Sequence, residues 1–193
     1  MDTSGYVKKQ TLYLAVMSAI ILGFIAGVVY SIYRTPSITG DAGQAAHQHE
    51  IADTIAALEQ TTQDKPDNGQ AWIELGHAYF DTGQTQKAIT AYTKALSLIP
   101  GDLNVMTDLA VMYHENKQHQ KAIELFDQVL QINPQHEQAR FNKGVVLFTG
   151  LHDQQAALNE WKTLLKYHPM AAAPSGKLVG ELVDQLEKEK STP

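Results

Sequence analysis

The chain has 193 residues, a formal net charge of −6 and no cysteine. The acidic balance argues against nucleic acid as a partner, because binding DNA or RNA requires a basic surface. The lack of cysteine excludes disulfides, cysteine-based zinc sites, iron–sulfur clusters and covalent haem attachment.

Residues 11–32 are predicted to form a single transmembrane helix. Their first twenty residues contain no Asp, Glu, Lys, Arg or His, and a helix of about 20 apolar residues matches the roughly 30 Å bilayer core. A cleaved signal peptide is the alternative, but the run is long for one and no Ala-x-Ala site closes it. Lys8 and Lys9, against Arg34 alone, predict that residues 1–10 are cytoplasmic and that the domain lies beyond the inner membrane.

Four small residues recur at every fourth position along this predicted helix: Ala15, Ala19, Gly23 and Gly27. Such a ladder allows close backbone approach of a second helix and predicts a homodimer or a docking contact. Small residues are also common in membrane helices, so the pattern favours neither interpretation.

Residues 33–48 are predicted to be a flexible linker. They contain Pro36, Gly40 and Gly43 without apolar periodicity. His47 and His49 supply only two neutral ligands, so no metal site is predicted there. The remainder, 49–193, is predicted to be one helical domain.

That domain begins with an amphipathic helix ending before Pro66, followed by repeats of 34 residues. The repeats are predicted at about 69–102, 103–136 and 137–171, with a closing helix at 175–190. In the first copy every position of the tetratricopeptide repeat (TPR) signature is occupied, by Trp72, Leu75, Gly76, Tyr79, Ala88, Tyr92, Ala95 and Pro100. The chain therefore resembles TPR proteins, which implies an all-α solenoid of helix pairs.

The third copy departs from the pattern in two ways. It needs one extra residue between Thr149 and Asp153, and Arg140 and Lys143 occupy positions where the pattern has apolar side chains. Its helix packing is therefore the part of the fold that the sequence predicts least well.

The TPR resemblance implies that the first helix of each pair lines a concave binding surface. The residues carried over to that surface are Ile73, His77, Phe80 and Asp81, then Thr107, Asp108, Val111, His114 and Glu115, and finally Phe141, Asn142, Val145 and Phe148. This lining lacks the Lys and Arg clamp with which some TPR proteins hold a terminal carboxylate. It suits an amphipathic helix or an extended apolar segment of a partner, although the apolar members also suit packing against neighbouring helices.

No catalytic motif is present, so neither an enzyme nor a cofactor is predicted. His77 and His114 are close enough in register to approach each other across the groove, but no third metal ligand is evident.

The segment LEQTTQDKPDNGQAWIELGHAYFDTGQ, residues 58–84, is similar to the membrane-anchored TPR modules of bacterial cytochrome c maturation, which hold unfolded apocytochromes. Three functions are consistent with this sequence: a membrane-tethered adaptor for a partner protein, a chaperone-like module for c-type cytochrome maturation, and a permanent structural subunit of a membrane complex.

Overall fold

A computed structural model describes residues 41–191 of the chain. Eight α-helices and one π-helical turn make up the regular structure of that range. The helices are α1 (Asp41–Asp64), α2 (Gly69–Asp81), α3 (Thr85–Leu98), α4 (Leu103–Glu115), α5 (His119–Ile132), α6 (Glu137–Val145), α7 (Gln154–Tyr167) and α8 (Val179–Ser191), and the π turn is Val146–Gly150. The predicted all-α solenoid of helix pairs is confirmed: α2 pairs with α3, α4 with α5, and α6 with α7.

The predicted membrane helix requires a correction to the fold class. Residues 11–32, with the packing ladder at Ala15, Ala19, Gly23 and Gly27, lie outside the described residues. Among the helices within residues 41–191, none combines the length and the apolar character needed to cross a bilayer. The fold class is therefore an all-α TPR solenoid without an assigned membrane span.

The predicted linker is also wrong in part, since α1 begins at Asp41 and residues 41–48 are helical. Gly43 lies inside this helix. The alanines at positions 42, 45 and 46 favour helix strongly enough to outweigh that one glycine. Further along α1, Ile55 and Leu58 pack against the core of the first repeat.

The helix ends recur at the period of the sequence. Asn68, Asp102 and His136 each accept a hydrogen bond from a backbone N–H in the first turn of α2, α4 and α6. These three N-caps are 34 residues apart and satisfy donors that a helix start leaves free. The tight turn inside each pair has a residue with positive φ, namely Gly83, Lys117 and His152.

Each pair is held by a small residue on its first helix facing an aromatic residue on its second. These contacts are Gly76 with Tyr92 and Gly144 with Trp161, where an added Cβ would overlap the aromatic ring. At the matching positions of the second repeat, Ala110 and Phe126 are both 0% exposed. Each fully buried aromatic side chain contributes roughly 1.5–3 kcal/mol through burial.

The extra residue of the third repeat is accommodated in the π turn. Leu151 N–H donates to the carbonyl of Val146, five residues earlier, at 3.1 Å, which is the π-helical pattern. The widened turn explains why His152 follows Lys117 by 35 residues, whereas Lys117 follows Gly83 by 34. The sequence placed this insertion in the loop around Thr149, and the structure places it at the end of the helix.

Arg140 and Lys143 are held by ion pairs and do not point freely into solvent. Arg140 contacts Glu160 at 2.7 Å, while Lys143 contacts Glu160 at 2.6 Å and Asp127 at 2.7 Å. Burial acts to lower the pKa of Lys143, but the hydrogen bonds to Asp127 and Glu160 outweigh it and raise that pKa. The guanidinium of Arg140 also donates to the carbonyl of Pro134. We call these four charged side chains the ion cluster.

A short hairpin connects the third repeat to α8. Ala172 and Leu178 form an isolated antiparallel bridge, and Gly176 takes a positive φ of 83° in the turn between them. Val179 and Val183 of α8 then pack into one cluster with Trp161. The predicted closing helix is present as α8, and it begins four residues later than expected because 175–178 belong to the hairpin.

Candidate binding groove

The first helices of the three pairs, α2, α4 and α6, present equivalent positions on one face, which we call the groove. Its composition changes along the array. One row reads Glu74, Asp108 and Asn142, the next His77, Val111 and Val145, and the last Asp81, Glu115 and Thr149. The groove is therefore acidic in the first two repeats and neutral to apolar in the third.

Two of the residues predicted for the groove belong to the core. Ile73 is 6% exposed and Thr107 is 0% exposed. The hydroxyl of Thr107 donates to the carbonyl of Leu103 at 2.7 Å. Neither side chain is available to a partner, because each is almost completely covered by other residues.

Six of the predicted residues come together in one cavity of about 410 Å³ between the second and third repeats. The apolar part of its wall is made by Val111, Phe141, Val145 and Val146, and Glu115 and Asn142 are among its polar residues. The described residues that line it are Val111, His114, Glu115, Phe141, Asn142, Val145, Val146, Ala173, Pro174 and Ser175.

The hairpin supplies a wall of this cavity that the sequence did not predict. Ala173, Pro174 and Ser175 line it together with residues of α4 and α6. A neighbouring cavity of about 430 Å³ shares Phe141 and Pro174 with the first and reaches Glu137. The signal missed in the sequence was the turn-forming Pro-Ser-Gly stretch at 174–176, of which 175–176 were assigned to the closing helix.

Two further predicted residues pack inside the domain. The ring of Phe148 lies 6.0 Å from that of Trp161 and belongs with the cluster that α8 closes. Phe80 is half-buried against the core of the first repeat. These aromatic side chains shape the groove from behind, and neither lines the cavity between repeats two and three.

At the acidic end of the groove, His77 Nε2 lies 3.3 Å from Asp108 Oδ2. Burial raises the pKa of Asp108 above its ordinary value, against the lowering effect of His77. Tyr92 lies edge-on to His77 with ring centroids 5.6 Å apart, and its buried hydroxyl has no hydrogen-bond partner. Burial, and then the charges of Asp108 and Asp81, raise the pKa of that hydroxyl.

His77 and His114 each have a different partner from the one anticipated. His114 Nδ1 lies 2.9 Å from His119 Nδ1, and one ring donates to the other. Burial and the neighbouring His119 lower the pKa of His114. His77 instead contacts Asp108. Within the part of the chain that the structure describes, no cluster of three or more ligating side chains is arranged to hold a metal ion.

A further cavity of about 430 Å³ lies on another face, between α1 and α3. Glu59 accepts a hydrogen bond from the hydroxyl of Tyr79 and lies 3.5 Å from Lys87. The bond from Tyr79 lowers the pKa of Glu59. These polar contacts join α1 to the first repeat.

The comparison with protein families decides the identity of the domain. Residues 36–173 match the family described as the cytochrome c-type biogenesis protein H TPR domain, over more than half of the chain. The chain belongs to this family.

Among curated relatives of this domain, the photosystem I assembly protein Ycf3 of Acaryochloris marina is 30% identical, across 62% of this chain and 81% of that protein. The first curated relatives are much longer, and the chain spans only 20% of one and 18% of another.

Two solved structures share the fold of the cytochrome c-type biogenesis TPR domain. A crystal structure of MamA superposes with a TM-score of 0.65 at 16% identity, covering 76% of this chain and 82% of that one. The first TPR domain of Spaghetti (RPAP3), bound to the HSP90 peptide SRMEEVD, superposes with a TM-score of 0.55 at 19% identity, covering 64% and 96%. At these identities the likeness establishes the fold alone, and this fold supports protein–protein interaction.

Proposed function

We propose that this domain holds an unfolded segment of a c-type apocytochrome in its groove during maturation, as a binding module without catalytic activity. The observation that carries the proposal is the apolar cavity between repeats two and three, in a chain that belongs to a cytochrome c-type biogenesis family. An unfolded chain exposes apolar side chains that a folded cytochrome buries, and such side chains fit an apolar cavity.

The construction of the cavity supports a reversible holding role. Val111, Phe141 and Val145 are partly buried rather than fully covered, so a partner side chain can replace solvent there. Because the lining is preformed by α4, α6, the start of the π turn and the hairpin, little conformational entropy is lost on binding. A module that must release its client for haem attachment needs moderate affinity, which a cavity of about 410 Å³ can give.

The lining argues against two other modes of binding. Among the described residues that line the two linked cavities, none is lysine or arginine, so a client's terminal carboxylate has no cationic partner there. The groove also lacks an arrangement of nucleophile, base and oxyanion donors, which supports a holding role over a catalytic one. The location beyond the inner membrane stays a prediction from the charges at Lys8, Lys9 and Arg34.

The test compares a haem-free, unfolded c-type cytochrome with its folded, haem-loaded form. Binding of each to the full chain is measured by fluorescence anisotropy. We expect the unfolded form to bind and the folded form not to bind, because only the former exposes apolar segments. Val111→Glu places a charge in the cavity wall and should weaken binding by about tenfold or more, since burying an unpaired carboxylate costs well over 1.4 kcal/mol.

Ile132→Glu is the matched control, because Ile132 is 63% exposed at the end of α5 and does not line either cavity. Circular dichroism must show that both variants remain folded. Equal affinity of parent and Val111→Glu, or equal binding of folded and unfolded cytochrome, would rule the proposal out.

A further inference from the structure

The negatively charged side chains of the groove are concentrated in the first two repeats. Glu74 and Asp81 line a cavity of about 540 Å³ beside α1, Asp108 lies in the next repeat, and Glu115 lines the apolar cavity. We call these four residues the acidic half of the groove. The only basic side chains among the described residues that line those two cavities are the histidines His77 and His114.

An independent feature beneath this half indicates that it is built for a ligand. The Tyr92 side chain is 0% exposed, and its hydroxyl lacks a hydrogen-bond partner. Buried polar groups are nearly always satisfied in proteins. The Tyr92 ring lies 5.6 Å from the ring of His77, and His77 in turn lies 3.3 Å from Asp108, so Tyr92 is next to the acidic half.

A cation is the ligand chemistry that fits these groups together. An ammonium or guanidinium donates several hydrogen bonds, which carboxylates and a hydroxyl oxygen accept. His77, which pairs with Asp108, has a side chain that is 50% exposed. An incoming cation that displaced His77 would gain Asp108 and Tyr92 as acceptors.

We propose that the acidic half of the groove binds lysine or arginine side chains of the same protein segment whose apolar side chains occupy the cavity between repeats two and three. The inference rests on the proposed function and adds to it the charge and the direction of the client segment. Basic residues lie over repeats one and two, and apolar residues lie over repeat three. Glu115 belongs to both parts of the groove and marks the junction.

The binding probes are two synthetic peptides of equal length, one of leucine and lysine and the other of leucine and glutamate, together with the unfolded cytochrome. Their affinity for the full chain is measured by anisotropy at two salt concentrations. We expect the lysine peptide to bind and the glutamate peptide to bind at least tenfold more weakly. Raising the ionic strength from about 0.05 M to about 0.5 M should lower the affinity for the lysine peptide, because salt screens exposed charges.

The variant is the triple substitution Glu74→Gln, Asp81→Asn and Glu115→Gln, whose three side chains are exposed. The control removes three exposed carboxylates elsewhere, through Glu124→Gln, Glu181→Gln and Asp184→Asn. Both variants change the net charge equally. Each lost surface pair weakens binding by a few fold, so the groove variant should lose about tenfold in affinity for the lysine peptide and the control almost nothing.

The outcomes separate this inference from the proposed function. If both peptides bind equally, if neither binds, or if the two triple variants behave alike, the inference is overturned. The proposed function still holds in that case if unfolded cytochrome binds to the chain and Val111→Glu weakens this binding. Conversely, if the chain prefers the lysine peptide and yet fails to bind unfolded cytochrome, that result supports a basic client segment and shows that the client is not an apocytochrome.

Discussion

The first and third repeats use one geometry with two different chemistries. In the first, Leu75 and Ala91 meet between the paired helices at 3% and 1% exposure. In the third, the equivalent positions are Lys143 and Glu160, which form an ion pair at 2.6 Å. The small-to-aromatic contact is kept in both, as Gly76 with Tyr92 and Gly144 with Trp161. The comparison shows that the close helix contact defines the repeat, whereas the adjoining layer tolerates charge when every charge is paired.

The largest effect is expected when the ion cluster loses its shared acceptor. The side chains of Arg140 and Lys143 are 13% and 15% exposed. Glu160→Ala removes the acceptor that both of them contact. Breaking a fully buried pair costs about 3–5 kcal/mol of unfolding free energy, and this is the upper bound here because Lys143 keeps Asp127 and Arg140 keeps the carbonyl of Pro134. Urea denaturation followed by circular dichroism measures the change.

Two controls sharpen that result. Glu187→Ala removes the partner of Lys162 at an exposed site, where an ion pair contributes less than about 1 kcal/mol. Replacing Arg140, Lys143 and Glu160 together by Met, Leu and Leu imitates the apolar layer of the other repeats and should be neutral or stabilising. Similar losses for Glu160→Ala and Glu187→Ala would show that the cluster contributes no more than a surface pair.

A smaller effect is expected where the two repeats agree. Gly76→Ala places a methyl group into the ring of Tyr92 and should cost about 1–3 kcal/mol through overpacking. Gly180→Ala in α8 is the matched control, because nothing lies within 4 Å of its added Cβ. There the usual preference of helices for alanine should give a gain of up to about 1 kcal/mol. Thermal unfolding of both variants tests this, and a stabilised Gly76→Ala would contradict the close-contact interpretation.

The smallest effect concerns the junction between the two kinds of repeat. His114 contacts His119 at 2.9 Å and Thr149 of the π turn at 3.4 Å. Because the folded pKa of His114 is lowered by burial and by His119, protonation favours the unfolded state. Its contribution is complete above about pH 6.5 and is lost as the pH falls through the lowered folded value.

Replacing this group with His114→Gln should therefore reduce the loss of melting temperature between pH 7 and pH 5. At pH 8 the comparison with the parent reports only the packing change, which serves as the internal control. Parallel pH profiles for variant and parent would show that the histidine pair does not link acidity to stability.

Sequence reasoning predicted the helix pairs well because their period, proline positions and small-to-aromatic spacing are local properties. It could not predict the ion cluster, because the partner of Arg140 and Lys143 is Glu160 on the facing helix. From the sequence alone, the two basic residues are only departures from the repeat pattern. Similarly, alanines at 42, 45 and 46 outweighed a single glycine, so that the predicted linker proved helical from Asp41.

The sequence predicted which helix positions face the groove, but it did not predict how deeply each side chain is buried. Val111 and Val145 were predicted correctly because they occupy equivalent helix positions, and both line the cavity. Ile73, Thr107 and Phe141 also occupy equivalent positions, but Ile73 and Thr107 are buried whereas Phe141 lines the cavity. Position within the repeat therefore does not decide which side chains the neighbouring helices cover. The wall made by Ala173, Pro174 and Ser175 depends on how the chain turns after the third repeat, and no repeat pattern extends to that segment.

The π turn at Val146–Gly150 makes the third copy specific to its place in the array. A Cβ on Gly150 would meet the imidazole of His119, with 2.7 Å to Nδ1, so the widened turn is fitted to the copy before it. Repeat proteins are often engineered by exchanging, duplicating or shuffling copies as equivalent units. Here a regular 34-residue unit in third place would lack the turn that reaches back to His114 and His119. The copies are therefore not interchangeable, and we expect a regular unit inserted at that joint to lose the contacts of the π turn with His114 and His119.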